Sequence, residues 1–183
     1  MYDFTACIVT YNTKKEELAK IINCFQKTEL KFKLWISDNS EKDILRIFIE
    51  KFSDSRIEYI FNNANNGFGT GHNVVIEKLI RGKEKSEFHL IINADVCFEK
   101  NTIEKIINYM RKNIDIGQIG PKIYEPDGKV SKSCRLLPTP LNLIFRRFFP
   151  IKSVVEKMDY NYEMKWYDYE STIEVPILSG CFI

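Results

Sequence analysis

The chain has little with which to build a covalent or metal-clamped frame. Its five cysteines, Cys7, Cys24, Cys97, Cys134 and Cys181, are an odd set with no C-x-x-C pair. Several lie in apolar runs, so they are expected to be small buried thiols in a reducing compartment, which leaves out a disulfide scaffold and a cysteine zinc site. Two histidines, His72 and His89, have no second ligand at metal spacing, which argues against a histidine zinc site. Charge of one sign is not in excess: the formal net charge is +2, with no concentrated basic face for nucleic acid. No run of about twenty apolar residues occurs, so no segment is expected to span a membrane. A basic stretch leading into an apolar one is missing at the N-terminus, so no signal peptide is expected and the expected location is cytoplasmic. No G-x-G-x-x-G follows the first strand, where the chain reads Tyr11-Asn12-Thr13-Lys14, and no Walker A lysine motif occurs. Those absences exclude a dinucleotide-binding fold and a P-loop.

What is present is ordinary in bulk and informative in order. Hydrophobic content of 44% and charged content of 28% suit one soluble globular domain over residues 1–183. Phe4 to Val9, Phe32 to Ser37, Arg56 to Phe61 and Phe88 to Ile92 read as strands, rich in β-branched and aromatic residues. Between them, Leu18, Ile21, Ile22 and Phe25 fall at helical spacing, as do Ile44, Leu45, Phe48 and Phe52. A third helix is expected from about His72 to Arg81. Asn101 with Glu104 resembles a capping box for a fourth, which buries Ile103, Ile106, Ile107 and Met110. Strand and helix alternate with short connections, predicting right-handed βαβ units, a mostly parallel sheet and an α/β fold. Beyond about residue 115 the rhythm changes. Gln118 to Tyr124 reads as a strand, Glu125-Pro126-Asp127-Gly128 as a turn and Ile173 to Leu178 as a last strand, while 135–170 show no clean period. The domain thus divides into a regular half, 1–115, and an irregular half, 116–183.

Three strands end in polar residues. Leu90-Ile91-Ile92 runs into Asn93-Ala94-Asp95, the first strand into Thr10-Tyr11-Asn12, and the second into Ser37-Asp38-Asn39-Ser40. Open α/β sheets bind ligands at the carboxyl edge, so these ends form one candidate site, where Asn93 and Asp95 offer oxygens to a hard metal ion or a polar ligand. The bland alternative for each is a cap or turn residue. Asn66-Gly67-Phe68-Gly69-Thr70-Gly71-His72-Asn73 precedes a helix, so its amides could hold a phosphate; otherwise its glycines only serve positive φ. His72 could touch that phosphate, or cap, or face solvent, and His89 reads as a satisfied half-buried strand residue. Leu143-Ile144-Phe145-Arg146-Arg147-Phe148-Phe149 reads as a helix with its phenylalanines inward. The alternative for that stretch is a surface that meets a membrane-embedded lipid acceptor at the inner face of the membrane.

In this order the motifs resemble the family 2 glycosyltransferases, most closely the rhamnosyltransferase-like members that build bacterial surface polysaccharides. The resemblance rests on Thr10-Tyr11-Asn12, Ser37-Asp38-Asn39-Ser40, Asn65 to Phe68 with Gly71-His72-Asn73, and Asn93 to Val96. It continues through Gly120 to Ile123, Asp127-Gly128 and Ser179-Gly180-Cys181. It implies a GT-A fold, a nucleotide-diphosphate-sugar donor, a saccharide or lipid-linked saccharide acceptor, a divalent metal (Mg2+ or Mn2+) and inversion at the anomeric carbon. Carried over by position, Thr10, Tyr11, Asn12 and Asp38 would face the nucleoside. Asn66, Gly67 and Asn73 would border nucleotide and sugar, and Asp95 would bind the metal with Asn93 beside it. Asn93 is an amide where the family's D-x-D-like signature begins. The family's catalytic base lies in an acidic motif beyond the Ser-Gly segment, so it is expected beyond Ile183. Two other functions remain open: a non-catalytic nucleotide-sugar-binding or interaction module, and a nucleotidyltransferase, whose glycine-rich basic loop after the first strand is missing.

Overall fold

A computed structural model describes residues 1–82, 84–140 and 152–183. The chain folds into two compact units, Met1–Gly117 with Gly180–Ile183, and Gln118–Ser179.

The first unit holds a four-stranded sheet of β1 (Tyr2–Thr10), β2 (Phe32–Asp38), β3 (Ile57–Phe61) and β4 (Ser86–Ile91), in the order β3-β2-β1-β4. Every pairing is parallel, with Thr10 opposite Asp38 and Asp38 opposite Phe61 at the carboxyl edge. The helices are α1 (Lys15–Gln26), α2 (Arg46–Glu50), α3 (Phe68–Arg81) and α4 (Thr102–Lys112). Burial on both faces explains why β1 and β2 lack a clean polar alternation. On one face, Phe25 of α1 packs on Phe4 and Phe32, with ring centroids 6.3 and 5.7 Å away. On the other, Val75 of α3 joins Cys7 and Trp35, flanked by Val9, Ile60 and Leu79. An antiparallel return closes the far side of β4: Ile91 and Ile183 exchange two backbone bonds of 2.9 Å, and the Asn93 N–H donates to the Cys181 carbonyl at 2.9 Å.

The second unit is built mostly from turns. Its regular pieces among the described residues are the antiparallel pair β5 (Cys134–Arg135) and β6 (Ile177–Leu178), and α5 (Lys152–Tyr162). Cys134, Met164, Tyr167 and Tyr169 form its core. The Glu125 to Gly128 turn is present, with Gly128 at φ 82° and its N–H on the Glu125 carbonyl.

Several local expectations need correction. Residues 118–123 form no strand, and Tyr124 makes only an isolated bridge to Val130. The last strand is confined to Ile177–Leu178. The second helix shrinks to about a turn and a half, because Ile44 and Ile47 stay exposed while Leu45 and Ile49 carry the burial. The third helix starts four residues earlier than expected, at Phe68, so His72 is helical and not in a loop. Asn101 makes no side-chain cap; Glu104 instead accepts from Thr28 Oγ1 at 2.5 Å, which spends the carboxylate on a tertiary bond. Cys7, Cys24 and Cys134 are buried, but Cys97 is exposed. The stretch 143–149 lies outside the described residues.

Candidate functional site

In a parallel sheet all carboxyl ends share one rim. Here the chain winds from β1 outward to β3 and then returns to the other side of β1 as β4, so the winding reverses between β1 and β4. Helices on either side of such a reversal diverge and leave a crevice, the place where open α/β sheets take ligands. Thr10 and Tyr11 leave β1 at that point, and Asn93 and Asp95 follow β4.

The β2 side of the rim is a closed polar lattice. Asp38 is fully buried. Its Oδ1 accepts from the Ser40 N–H at 3.0 Å and the Ser40 hydroxyl at 2.6 Å, and its Oδ2 from the Tyr59 hydroxyl at 2.7 Å. Burial first, and then the bond to Asp38, push the Tyr59 phenol well above its ordinary pKa, so it acts as an O–H donor. Arg46, paired with Asp43 at 2.7 Å, lies over the Tyr59 ring, 5.1 Å from its centroid. Ser40 Oγ also takes the Asn12 N–H at 2.9 Å, and Asn12 sits at φ 51°. One oxygen of Asp38 therefore shapes the turn after β1 through Ser40, while the other is held by Tyr59.

Beside it, Asn39 joins three elements. Its N–H donates to the Thr10 carbonyl at 2.8 Å and its Nδ2 to the Gly67 carbonyl at 3.0 Å. Asn62 spends both Nδ2 protons, on Asn39 Oδ1 and Ser37 Oγ, each at 2.8 Å. Ser37 Oγ passes its proton to the Gly71 carbonyl at 2.9 Å. Gly67, at φ 86°, precedes α3 in a conformation that disfavours a side chain. At Gly71 a Cβ would stand 2.7 Å from Val9 Cγ1, so only glycine lets α3 come this close. These bonds fix the N-terminus of α3 against the ends of β1 and β2.

The structure thus brings Thr10, Asn12, Asp38 and Gly67 into one bonded rim. Thr10 is buried, and its hydroxyl has no partner among the described residues. Tyr11, 47% exposed, presents its ring to solvent, and Asn66 is exposed at the entrance to α3. Asn73 stands apart: with Thr70, Glu58 and Lys78 it lines an open groove of about 660 Å³ along α3. Asn93 is half-buried and Asp95 exposed, in a turn where the Val96 N–H reaches the Asn93 carbonyl at 3.3 Å. Position alone would have Asp38 face a ligand directly; it lies beneath Tyr59 and Ser40 instead. The sequence singles out neither Asn62 nor Tyr59, and Ser37 only as part of the polar end of β2. The one signal for Asn62 was its position, a polar residue directly after β3.

His72 is buried against Phe68, ring centroids 4.4 Å apart, and neither ring nitrogen has a partner among the described residues. His89 Nδ1 meets Thr5 Oγ1 at 2.9 Å, which meets Ser86 Oγ at 2.9 Å. Burial lowers both imidazoles to about 4, and for His72 the neighbouring His89 adds to it. Both are neutral; His72 is a buried core group and no phosphate ligand in this geometry, while His89 is half-buried as expected but with its Nε2 left without a partner among the described residues.

Among the described residues no cluster of three or more His, Cys, Asp or Glu side chains could hold a metal ion. Asp95 with Asn93 is an oxygen donor set of one carboxylate and one amide. That set fits Mg2+ or Mn2+ only in the mode where substrate phosphates and waters complete the shell.

With the geometry in place, comparison with known proteins gives the class. The architecture is that of GT-A glycosyltransferases. Residues 5–171 match the model of glycosyl transferase family 2, and the chain belongs to that family. A mannosyltransferase from Pyrobaculum calidifontis, solved with GDP-Man and Mn2+, is 14% identical with a TM-score of 0.53, over 69% of this chain and 36% of that one. TarS from S. aureus, residues 1–349, is 14% identical with a TM-score of 0.50, over 76% of this chain and 44% of that one. GalNAc-T7 with UDP, GalNAc and Mn2+ is 12% identical with a TM-score of 0.52, over 83% of this chain and 32% of that one. At these identities the likeness is one of fold. The chain spans between about a third and under half of the length of these solved structures. No curated protein sequence matches it. Among the described residues no helix is long and apolar enough to cross a membrane.

Proposed function

We propose that this chain binds a nucleoside-diphosphate sugar and serves its transfer to an acceptor hydroxyl. The observation that carries the reading is the rim at the strand-order reversal, where Thr10, Asp38, Asn39 and Gly67 are tied together and one buried hydroxyl, Thr10 Oγ1, is left without a partner among the described residues. A nucleoside supplies what that rim lacks. Its ribose hydroxyls or base N–H groups pair with Thr10 and, when the Tyr59 phenol yields its place, with Asp38 Oδ2. The exposed Tyr11 ring offers a face on which a base stacks. Asn66 and Gly67 border the N-terminus of α3, whose unpaired amides and dipole favour a phosphate.

Asp95, with Asn93 beside it, would hold Mg2+ or Mn2+, which when bound supplies positive charge against the departing diphosphate. The Mn2+ and nucleotides bound by two fold neighbours support that assignment. Inversion and a saccharide or lipid-linked acceptor of the cell-surface polysaccharide pathway follow from the motif resemblance. Work at the inner face of the membrane completes this reading.

Calorimetry with UDP, dTDP and GDP, each with and without Mn2+, tests it. At least one nucleotide should bind, and more tightly with the metal. Silence from all three with folded protein sinks the donor-site assignment.

A further inference from the structure

The two oxygens of Asp38 are capped in unequal ways. Oδ1 is held by the amide and hydroxyl of Ser40, two residues on, and that hydroxyl also takes the Asn12 N–H. Those donors cannot leave without undoing the turns after β1 and β2. Oδ2 is held from another strand, by the Tyr59 hydroxyl at 2.7 Å. Tyr59 lies on β3, the edge of the four-stranded sheet, where every residue is only half-buried. Its side chain can therefore turn outward about χ1 while the β2–β3 ladder stays intact. Arg46 rests on its ring, 5.1 Å from the centroid, and is itself tied to Asp43 at 2.7 Å.

Beside the capped carboxylate stands a group with nothing to bind. Thr10 is opposite Asp38 in the β1–β2 register, so the two side chains leave the same face of the sheet. Its buried hydroxyl has no partner among the described residues. A purely structural aspartate needs neither a removable cover nor an unpaired hydroxyl at its side.

Resting on the donor reading above, we propose that Tyr59 is a specificity-determining latch: its phenol occupies Asp38 Oδ2 in the free protein, and only a nucleoside that brings its own O–H or N–H to that oxygen displaces it. A ligand with a lone pair at that place leaves a buried carboxylate unpaired and is refused. Burial and the bond to Asp38 raise the phenol's pKa, so the latch keeps its proton across the neutral range. On binding, the Tyr59–Asp38 hydrogen bond breaks, a nucleoside–Asp38 bond forms and the phenol turns to water.

Because the latch bond exists only in the free state, whatever it contributes to folding is subtracted from binding. Removing the hydroxyl must lower the stability of the free protein and raise nucleotide affinity by the same free energy. A purely structural Tyr59 keeps its bond in both states and couples nothing.

The test compares Tyr59→Phe with the wild type by calorimetry with UDP, dTDP and GDP plus Mn2+, and by urea unfolding with and without the nucleotide that binds. The variant should bind at least about threefold more tightly, the scale set by one competing hydrogen bond to a charged acceptor. Its stability deficit without ligand should vanish at saturating nucleotide. Unchanged or weaker affinity overturns the latch and leaves the donor reading standing. Silence from both proteins with all three nucleotides sinks the donor reading, and the latch with it. Should Tyr59→Phe misfold, Arg46→Ala loosens the latch from the exposed side of the ring: it too should tighten binding, and binding unchanged or weaker overturns the proposal.

Discussion

Two aspartates leave the same sheet at the same rim and are treated in opposite ways. Asp38, at the end of β2, is fully buried and receives three hydrogen bonds from Ser40 and Tyr59. Asp95, four residues past β4, is exposed. The difference follows from strand order. β2 is an inner strand whose end is covered by the loop to α2, by Tyr59 and by the N-terminus of α3. β4 borders the reversal, where the strand order leaves its end open to a ligand. A carboxylate in the first setting organises the wall of a site; in the second it can meet a cation that arrives with its own ligands. The rim thus pairs a fixed side with an adaptable one.

The sharpest way to break this comparison is to remove each carboxylate in turn. Asp38→Ala strands three buried donors and should cost about 3 kcal/mol of unfolding free energy, since each unpaired group costs roughly 1–3 kcal/mol before relaxation. Asp95→Ala should change stability by less than about 0.5 kcal/mol, as exposed substitutions do, while abolishing the Mn2+ dependence of nucleotide binding. Equal stability losses in urea unfolding would show that the two ends are not different in kind.

Acid probes the packed side of the sheet. His72 and His89 hold pKa values of about 4 when folded against an ordinary 6.5, so the native state keeps them neutral while the unfolded chain protonates. Stability should therefore fall as pH drops from about 6.5 to 4, by on the order of 3 kcal/mol for each histidine, with no further loss from these groups below about pH 4. His72→Leu should flatten that slope; an unchanged slope would assign the acid lability elsewhere. A smaller effect concerns the close docking of α3. Gly71→Ala forces its new methyl into Val9 and should cost about 1–3 kcal/mol, whereas Gly69→Ala meets nothing within 4 Å and should stabilise by up to about 1 kcal/mol. Thermal melts of the two alanine variants that move together would refute the asymmetry.

Much of the first unit was legible because its signals are local and redundant. Apolar runs bounded by polar residues marked all four parallel strands, and Leu18, Ile21, Ile22 and Phe25 marked the buried face of α1. Less legible was anything decided by a distant partner. Glu104 has the spacing of a capping residue, yet the Thr28 hydroxyl, far away in sequence, takes its oxygen. Phe68 to Gly71 read as loop because glycine is a poor helix former, but bonds from Asn39 and Ser37 hold that turn in place. The same blindness applies to the rim: Asp38 announces itself by position, while its burial depends on Tyr59, a residue from another strand. In the second unit the strands are two residues long, too short for a period of two to show.

The return of Gly180–Ile183 to β4 bears on how the chain reaches this state. Residues far apart in sequence share the first unit, and all of Gln118–Ser179 is inserted between them. On the ribosome, β1, β2 and β3 pair with their neighbours in the order of synthesis, and β4 can join β1, Leu90 opposite Ala6, as soon as it emerges. The Ile91 and Asn93 amides must wait for Cys181 and Ile183, a loop closure about ninety residues long in entropy. Sheet closure thus comes late in the biosynthesis of this unit. Hydrogen exchange on stalled nascent chains should find the Leu90 strand protected against Ala6 before Cys181 and Ile183 have emerged, and the Ile91 and Asn93 amides protected only afterwards.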